Sequence, residues 1–206
     1  DVPHIICYAA KANSNLAIMR LFVKEGGGVD IVSGGELYRA LQVGADPGKI
    51  VYSGVGKRVD EIDFALRSEI LMFNVESSEE LGVIDERAGL MGRKARISLR
   101  INPDVDPKTH PHISTGLKSN KFGIDIEKSL EEYRRARTLP HVEIVGVDCH
   151  IGSQVTQISP FIDALERLKS LIGRLREEGI EIRYLDLGGG LGITYNEEMP
   201  PHPEEY

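Results

Sequence analysis

Paired cysteines, long apolar runs and basic clusters are what this sequence lacks. Only two cysteines occur in 206 residues, Cys7 and Cys149. They lie in separate strand-like runs and are spaced neither as a metal site nor as a disulfide framework, which points to a reducing compartment, the cytoplasm. No stretch approaches the roughly 18 apolar residues that a membrane span needs, and no signal-peptide pattern opens the chain. A formal net charge of -7 without a basic patch argues against nucleic-acid binding. The first residue is Asp1 rather than methionine, so the native start is expected upstream. What is present is ordinary globular composition, 41% hydrophobic and 28% charged, at a length that suits one large domain or two small ones.

Apolar runs of strand length alternate with helical patterns. Strands are expected near 4–9, 29–33, 50–53, 70–74, 96–101, 143–150 and 183–187. Between the first two, "NLAIMRLFVKEGGG" carries apolar residues at 16, 19, 22 and 23 and ends in glycine. In "GGELYRALQVGA", Leu37, Ala40 and Leu41 share a face and Gly44 is a C-terminal stop. Ser77 and Glu80 form a capping-box pattern ahead of Leu81 and Ile84. The clearest helix is "SPFIDALERLKSLIGRLREEG". Pro160 suits its first turn, Leu165, Leu168, Leu171, Ile172 and Leu175 make a stripe, and Gly179 ends it.

Strand–helix alternation predicts a parallel sheet with helices outside it. No Gly-x-Gly-x-x-Gly follows the first strand, which favours a parallel (β/α)8 TIM barrel over a dinucleotide-binding sheet. Seven strands are one short of closure, so an incomplete barrel, part of a longer protein, is expected. Side chains alternate along a strand. In "RISLRIN", Ile97, Leu99 and Ile101 share one face, and Ser98, Arg100 and Asn102 the other. In "VGVDCHIGSQ", Gly146, Asp148 and His150 oppose Val145, Val147, Cys149 and Ile151. Asp186 likewise opposes Leu185 and Leu187. The polar faces are expected inside, rising toward the C-terminal mouth where barrel enzymes keep their sites.

Lys11 in "CYAAKANS", Arg100, His150 and the glycines from Gly188 would reach that mouth from strand ends. Each also has a structural reading. A lysine at a strand end is commonly solvated, and a histidine in an apolar strand is commonly a hydrogen-bonded core residue. Arg100 could pair with Asp148 or Asp186, and the triple glycine could be a tight turn. "SGVGKR", with Gly56 and Lys57, is not a P-loop, because Val51 stands where glycine is required and Arg58 where Ser or Thr is required. His110 and His112 lack a clear set of further ligands, so no metal site is expected there. "DLGGGLGITY" is more informative, since glycines after a strand let backbone N–H groups approach an anion. Ser153 in "HIGSQ" could add a hydroxyl. A lysine able to form a Schiff base together with a phosphate cradle points to pyridoxal 5'-phosphate.

"CYAAKANSN", "VDIVSGGEL", "NPDVDPKTHPHISTGLKSNKFGI", "DCHIGSQ" and "LDLGGGLGITY" together resemble the fold-type III pyridoxal phosphate-dependent decarboxylases, in their diaminopimelate decarboxylase branch. The resemblance runs along essentially the whole chain. It implies the alanine racemase-like barrel, with residues 1–206 as the partial cofactor-binding domain and a C-terminal β domain absent from this chain. It implies that Lys11 holds the cofactor as a Schiff base and that His150 stacks on its ring, the two catalytic residues. Ser153, Gly188, Gly189 and Gly190 would cradle the phosphate. Asp30 and Arg100 would lie near the ring and its phenolic oxygen. The implied reaction is decarboxylation of meso-diaminopimelate to L-lysine, the last step of lysine biosynthesis, by a homodimer of the full-length protein. Two alternatives remain open. One is a related ornithine, arginine or carboxy-polyamine decarboxylase, and the other a non-catalytic pyridoxal phosphate carrier. The family's Glu-Pro-Gly-Arg motif and its catalytic cysteine do not occur here, and Cys149 is not that cysteine by motif.

Overall fold

The computed structural model describes residues 2–106 and 122–206. His110 and His112 lie outside the described residues. The chain divides into two compact units, Asp1–Ile97 with Leu139–Glu143, and Ser98–Thr138 with Ile144–Tyr206.

In the first unit, strands β1 (Cys7–Ala9), β2 (Gly28–Ile31), β3 (Ile50–Tyr52) and β4 (Met72–Val75) pair in parallel and in chain order. Ala9 stands opposite Asp30 and Asp30 opposite Val51, while Ile31, Tyr52 and Phe73 form the neighbouring row. β1 is shorter than the expected 4–9, and Ile5 and Ile6 ahead of it are exposed. The close approach of strands explains one glycine. A Cβ on Gly28 would lie 2.2 Å from the Lys49 carbonyl oxygen and 2.8 Å from Cys7 Sγ.

The helices of this unit are α1 (Leu16–Lys24), α2 (Gly34–Gln42), α3 (Val59–Ser68) and α4 (Ser78–Leu90). Asn15 caps α1 by accepting from Ala17 N, and Met19 carries its buried face. Ser33 accepts from Glu36 N while the Glu36 carboxylate accepts from Val32 N, a reciprocal cap for α2. Ser77 caps α4 by accepting from Glu80 N. The expected reciprocal box is replaced by a longer-range partner, since the Glu80 carboxylate accepts from Lys57 Nζ. The sequence reading did not assign α3, whose buried face is Ile62, Ala65 and Leu66.

The second unit holds most of β5 (Ala95–Asn102), then β6 (Ile124–Asp125), α5 (Ile126–Thr138), most of β7 (Val142–Asp148), α6 (Ser159–Glu177) and β8 (Tyr184–Asp186). β5 pairs with β6 and β7 with β8, both in parallel. The two-residue β6 was not expected, being too short to show a period. α5 was also missed, because its buried face is only Ser129, Leu130, Tyr133 and Ala136 in an otherwise charged run. In α6 the buried stripe is Ala164, Leu168, Leu171 and Leu175, with Leu165 and Ile172 at its half-buried margins. Leu99 and Ile101 are buried as the alternation requires, and so are Ser98 and Asn102, since both faces of β5 are covered. On β8 the alternation gives no buried face, with Leu185 38% and Leu187, just after it, 42% exposed. Among the described residues no helix is long and apolar enough to cross a membrane.

Candidate active site

Two sets of polar groups gather at the C-terminal ends of the strands. In the first unit, Lys11 lies in the turn just after β1, with its side chain half exposed. Its Nζ stands 3.5 Å from Asp30 Oδ2 at the end of β2. The other carboxylate oxygen, Oδ1, accepts from Ser53 Oγ at 2.6 Å. Ser53 in turn accepts from Asn74 Nδ2 at 3.1 Å. Register places Asp30 beside Val51 and Met72, and Ser53 and Asn74 stand two residues further along the same face toward the C-terminal ends. The sequence reading identified Lys11 and Asp30 but missed Ser53 and Asn74. A signal was available, since Ser53 is two residues after Val51 and Asn74 two after Met72, so each continues an inward face.

Lys57, set aside as a failed P-loop residue, is the other finding of this unit. It has no exposed side-chain surface and donates to Gly54 O, Asn74 O and Glu80 Oε1. Burial holds the Glu80 carboxyl above its ordinary range in spite of this ammonium.

In the second unit, His150 follows β7 and is half-buried, its Nδ1 3.1 Å from Gly188 O. Gly188, Gly189 and Gly190 have φ values of 71°, 69° and 108°. A Cβ on Gly188 would lie 2.5 Å from Cys149 O, and one on Gly190 1.9 Å from Gly152 O. Only glycine fits these two places. Asp186 Oδ1 accepts from Gly188 N, which fixes the start of the turn. Residues 150–155 run beside this loop, with Val155 N donating to Gly190 O and Gly192 N to Val155 O. Ser153 lies exposed in that segment. Arg100 Nε stands 4.0 Å from Asp148 Oδ2, one of the two pairings the sequence left open, and its Nη2 is 3.5 Å from His150 O. Cys149 is buried, and burial, with Asp148 beside it, pushes its thiol well above the ordinary range. That thiol is unsuited to proton donation or attack.

Each set, taken by itself, suits one part of a phosphorylated aldehyde. An amine accessible to a carbonyl carbon stands at Lys11, next to a carboxylate. The loop Gly188–Gly190 is a main-chain turn with three positive φ values, in which a Cβ on Gly188 or Gly190 would strike a main-chain oxygen, and glycine turns of this kind let backbone N–H groups approach a phosphate.

The family described as pyridoxal-dependent decarboxylase, pyridoxal binding domain, matches residues 2–206. The diaminopimelate decarboxylase of Vibrio cholerae is 57% identical over 206 residues, 100% of this chain and 49% of that protein. That of Pseudomonas aeruginosa is 56% identical over 205 residues, with the same coverage of both. The chain thus spans about half the length of these relatives. The crystal structure of diaminopimelate decarboxylase from Helicobacter pylori complexed with L-lysine is 47% identical, with a TM-score of 0.95 over 98% of this chain and 51% of that one. A lysine/ornithine decarboxylase complexed with putrescine, from Vibrio vulnificus, shares the fold alone at 22% identity, with a TM-score of 0.80 over 97% of this chain and 50% of that one. The fold class is α/β, an incomplete parallel (β/α)8 barrel of the kind these enzymes use. The chain belongs to the pyridoxal-dependent decarboxylases, whose cofactor is pyridoxal 5'-phosphate, and corresponds to the N-terminal part of a diaminopimelate decarboxylase.

Proposed function

We propose that the full-length protein is a carboxy-lyase that converts meso-diaminopimelate to L-lysine and carbon dioxide. The observation that carries this reading is the high identity along the whole chain to diaminopimelate decarboxylases, beside a lysine/ornithine enzyme that shares only the fold. The same contrast disfavours the ornithine, arginine and carboxy-polyamine alternatives. A non-catalytic carrier is disfavoured too, because the matched relatives are enzymes about twice this chain's length. Residues 1–206 are read as the cofactor-binding barrel portion.

Pyridoxal phosphate supplies a conjugated ring that takes up the electron pair left behind as the carboxylate departs. Lys11 is the amine that holds the cofactor's aldehyde carbon, and Asp30 Oδ2 directs its Nζ. In the cradle of Gly188, Gly189 and Gly190, the last two would offer main-chain N–H groups to the phosphate while Gly188, its own N–H held by Asp186 Oδ1, shapes the turn, and Ser153 would add a hydroxyl. His150 would hold the ring with its imidazole, whose orientation is set by Gly188 O. Arg100 serves the phenolic oxygen side. Homodimerisation and a cytoplasmic location complete the reading.

The test incubates the full-length protein with pyridoxal phosphate and meso-diaminopimelate and measures carbon dioxide and L-lysine. Turnover of meso-diaminopimelate well above that of ornithine or arginine is expected. Absence of lysine formation, or preference for ornithine, overturns the reading. A subunit of about 45 kDa on denaturing electrophoresis is expected for a two-domain enzyme.

A further inference from the structure

Lys57 carries a charge withdrawn wholly from water. Its three ammonium hydrogens meet three acceptors, the carbonyl oxygens of Gly54 and Asn74 at 2.8 Å and Glu80 Oε1 at 2.7 Å, so its donors are all used. It also stands 5.5 Å from the Tyr52 ring centroid. The acceptors come from the loop after β3, the end of β4 and the first turn of α4. Desolvation offsets much of the attraction in a buried ion pair, so its best-attested value is to specify a geometry.

What it specifies here is Asn74. That residue is 1% exposed, and Lys57 holds its main-chain carbonyl. The Asn74 side chain donates to Ser53 Oγ. Ser53 has a single hydrogen and spends it on Asp30 Oδ1. Asp30 Oδ2 is the oxygen that meets Lys11 Nζ. Each bond fixes the direction of the next. We infer that Lys57 is a positioning residue for Lys11, acting through Asn74, Ser53 and Asp30 to hold the reactive amine in place. Its meaning for catalysis rests on the reading of Lys11 as the cofactor's attachment point.

The test uses the full-length protein without cofactor. Its lysines are acetylated with limiting acetic anhydride, and the rate at Lys11 is read by mass spectrometry relative to exposed Lys24 on α1. Thermal unfolding is followed in parallel. The variants are Lys57→Met and Lys57→Met/Glu80→Gln, the second leaving no uncompensated buried carboxylate. Both are expected to change the Lys11-to-Lys24 rate ratio about threefold or more, and Ser53→Ala to change it in the same direction. Adding Lys57→Met to Ser53→Ala should produce no further change, because the relay is already cut. A ratio equal to that of the parent protein with a lowered melting temperature overturns the inference, since Lys57 would then be structural only. Independent, multiplying effects of Lys57→Met and Ser53→Ala overturn it as well. If the neutral variants do not fold, Lys57→Arg carries the same readout, because a planar fork cannot reproduce three tetrahedral bonds. An unchanged ratio in that variant overturns the inference. Acetylation needs neither cofactor nor turnover, so a failed decarboxylase assay leaves this result standing, and the converse holds.

Discussion

Nδ1 of His150 lies 3.1 Å from the carbonyl oxygen of Gly188. A carbonyl only accepts, so Nδ1 carries the hydrogen of this bond, and in the neutral ring Nε2 is the unprotonated nitrogen. Gly188 can offer that carbonyl because its φ of 71° turns the chain sharply. A Cβ there would also lie 2.6 Å from His150 Cβ. The glycine and the histidine therefore share one constraint, since the turn that could receive a phosphate also aims the imidazole.

That constraint separates the three glycines. Gly188→Ala and Gly190→Ala collide with main-chain oxygens, whereas a Cβ on Gly189 meets nothing within 4 Å. Gly189→Ala should cost only the left-handed backbone term, about 1–2 kcal/mol. The other two should cost more and weaken pyridoxal phosphate binding about tenfold or beyond. Absorbance titration and thermal unfolding of the full-length variants check the ranking. Equal effects at all three positions would contradict it.

Lys11 and His150 should separate by chemistry. After borohydride reduction of the full-length protein with pyridoxal phosphate, a pyridoxyl label is expected on Lys11. Lys11→Ala should lose that label and nearly all activity, a drop of several orders of magnitude. His150→Ala should retain the label while binding the cofactor more weakly. A label of undiminished yield in Lys11→Ala would mean that another lysine holds the cofactor.

Asp63 and Arg87 make a two-pronged ion pair between α3 and α4, at 2.7 and 2.6 Å. Hydrogen bonding from Arg87 holds the Asp63 carboxyl below its ordinary value of 3.8. A carboxyl lowered in the folded state adds stability above its unfolded pKa and loses it as pH falls through the folded value. Asp63→Asn should therefore cost about 1 kcal/mol at pH 7. The gap from the parent protein should narrow as pH falls below about 4. Urea unfolding of both proteins at a series of pH values measures this, and a gap that stays constant into acid would point to packing instead.

Tyr133, fully buried on α5, donates its hydroxyl to Gly146 O of β7 at 2.9 Å. Tyr133→Phe keeps the ring and removes the donor, and should cost about 1–2 kcal/mol of stability. Chemical denaturation checks the value. No measurable loss would show that the carbonyl finds another donor.

Much of the fold was legible because parallel strands and their helices write strong local periods. The strand–helix alternation, the cap at Ser77, and the stops at Gly44 and Gly179 follow from a few neighbouring residues each. α5 was not legible, because its buried face is carried by serine, tyrosine and alanine with only one leucine. Candidate site residues could be singled out in the sequence where a residue type announces its chemistry. Lys11, His150 and the glycine run are of that kind, and the resemblance sharpened their roles.

Lys57 announced nothing, and its surroundings misled. By sequence it is a lysine in a glycine-rich loop, and solvation is the ordinary fate of such a residue. Its partner Glu80 lies 23 residues away and its acceptor Asn74 lies 17 away. Ser53 is likewise 23 residues from Asp30. The sequence by itself determined most of the strand–helix order, and where a lysine at a strand end and a glycine turn fall along the chain. Only the tertiary structure decided which side chains stand beside Lys11, Asp30 at 3.5 Å and behind it Ser53 and Asn74. Period and propensity are properties of a local stretch, whereas a hydrogen bond between strand ends exists only once parallel register has set them side by side.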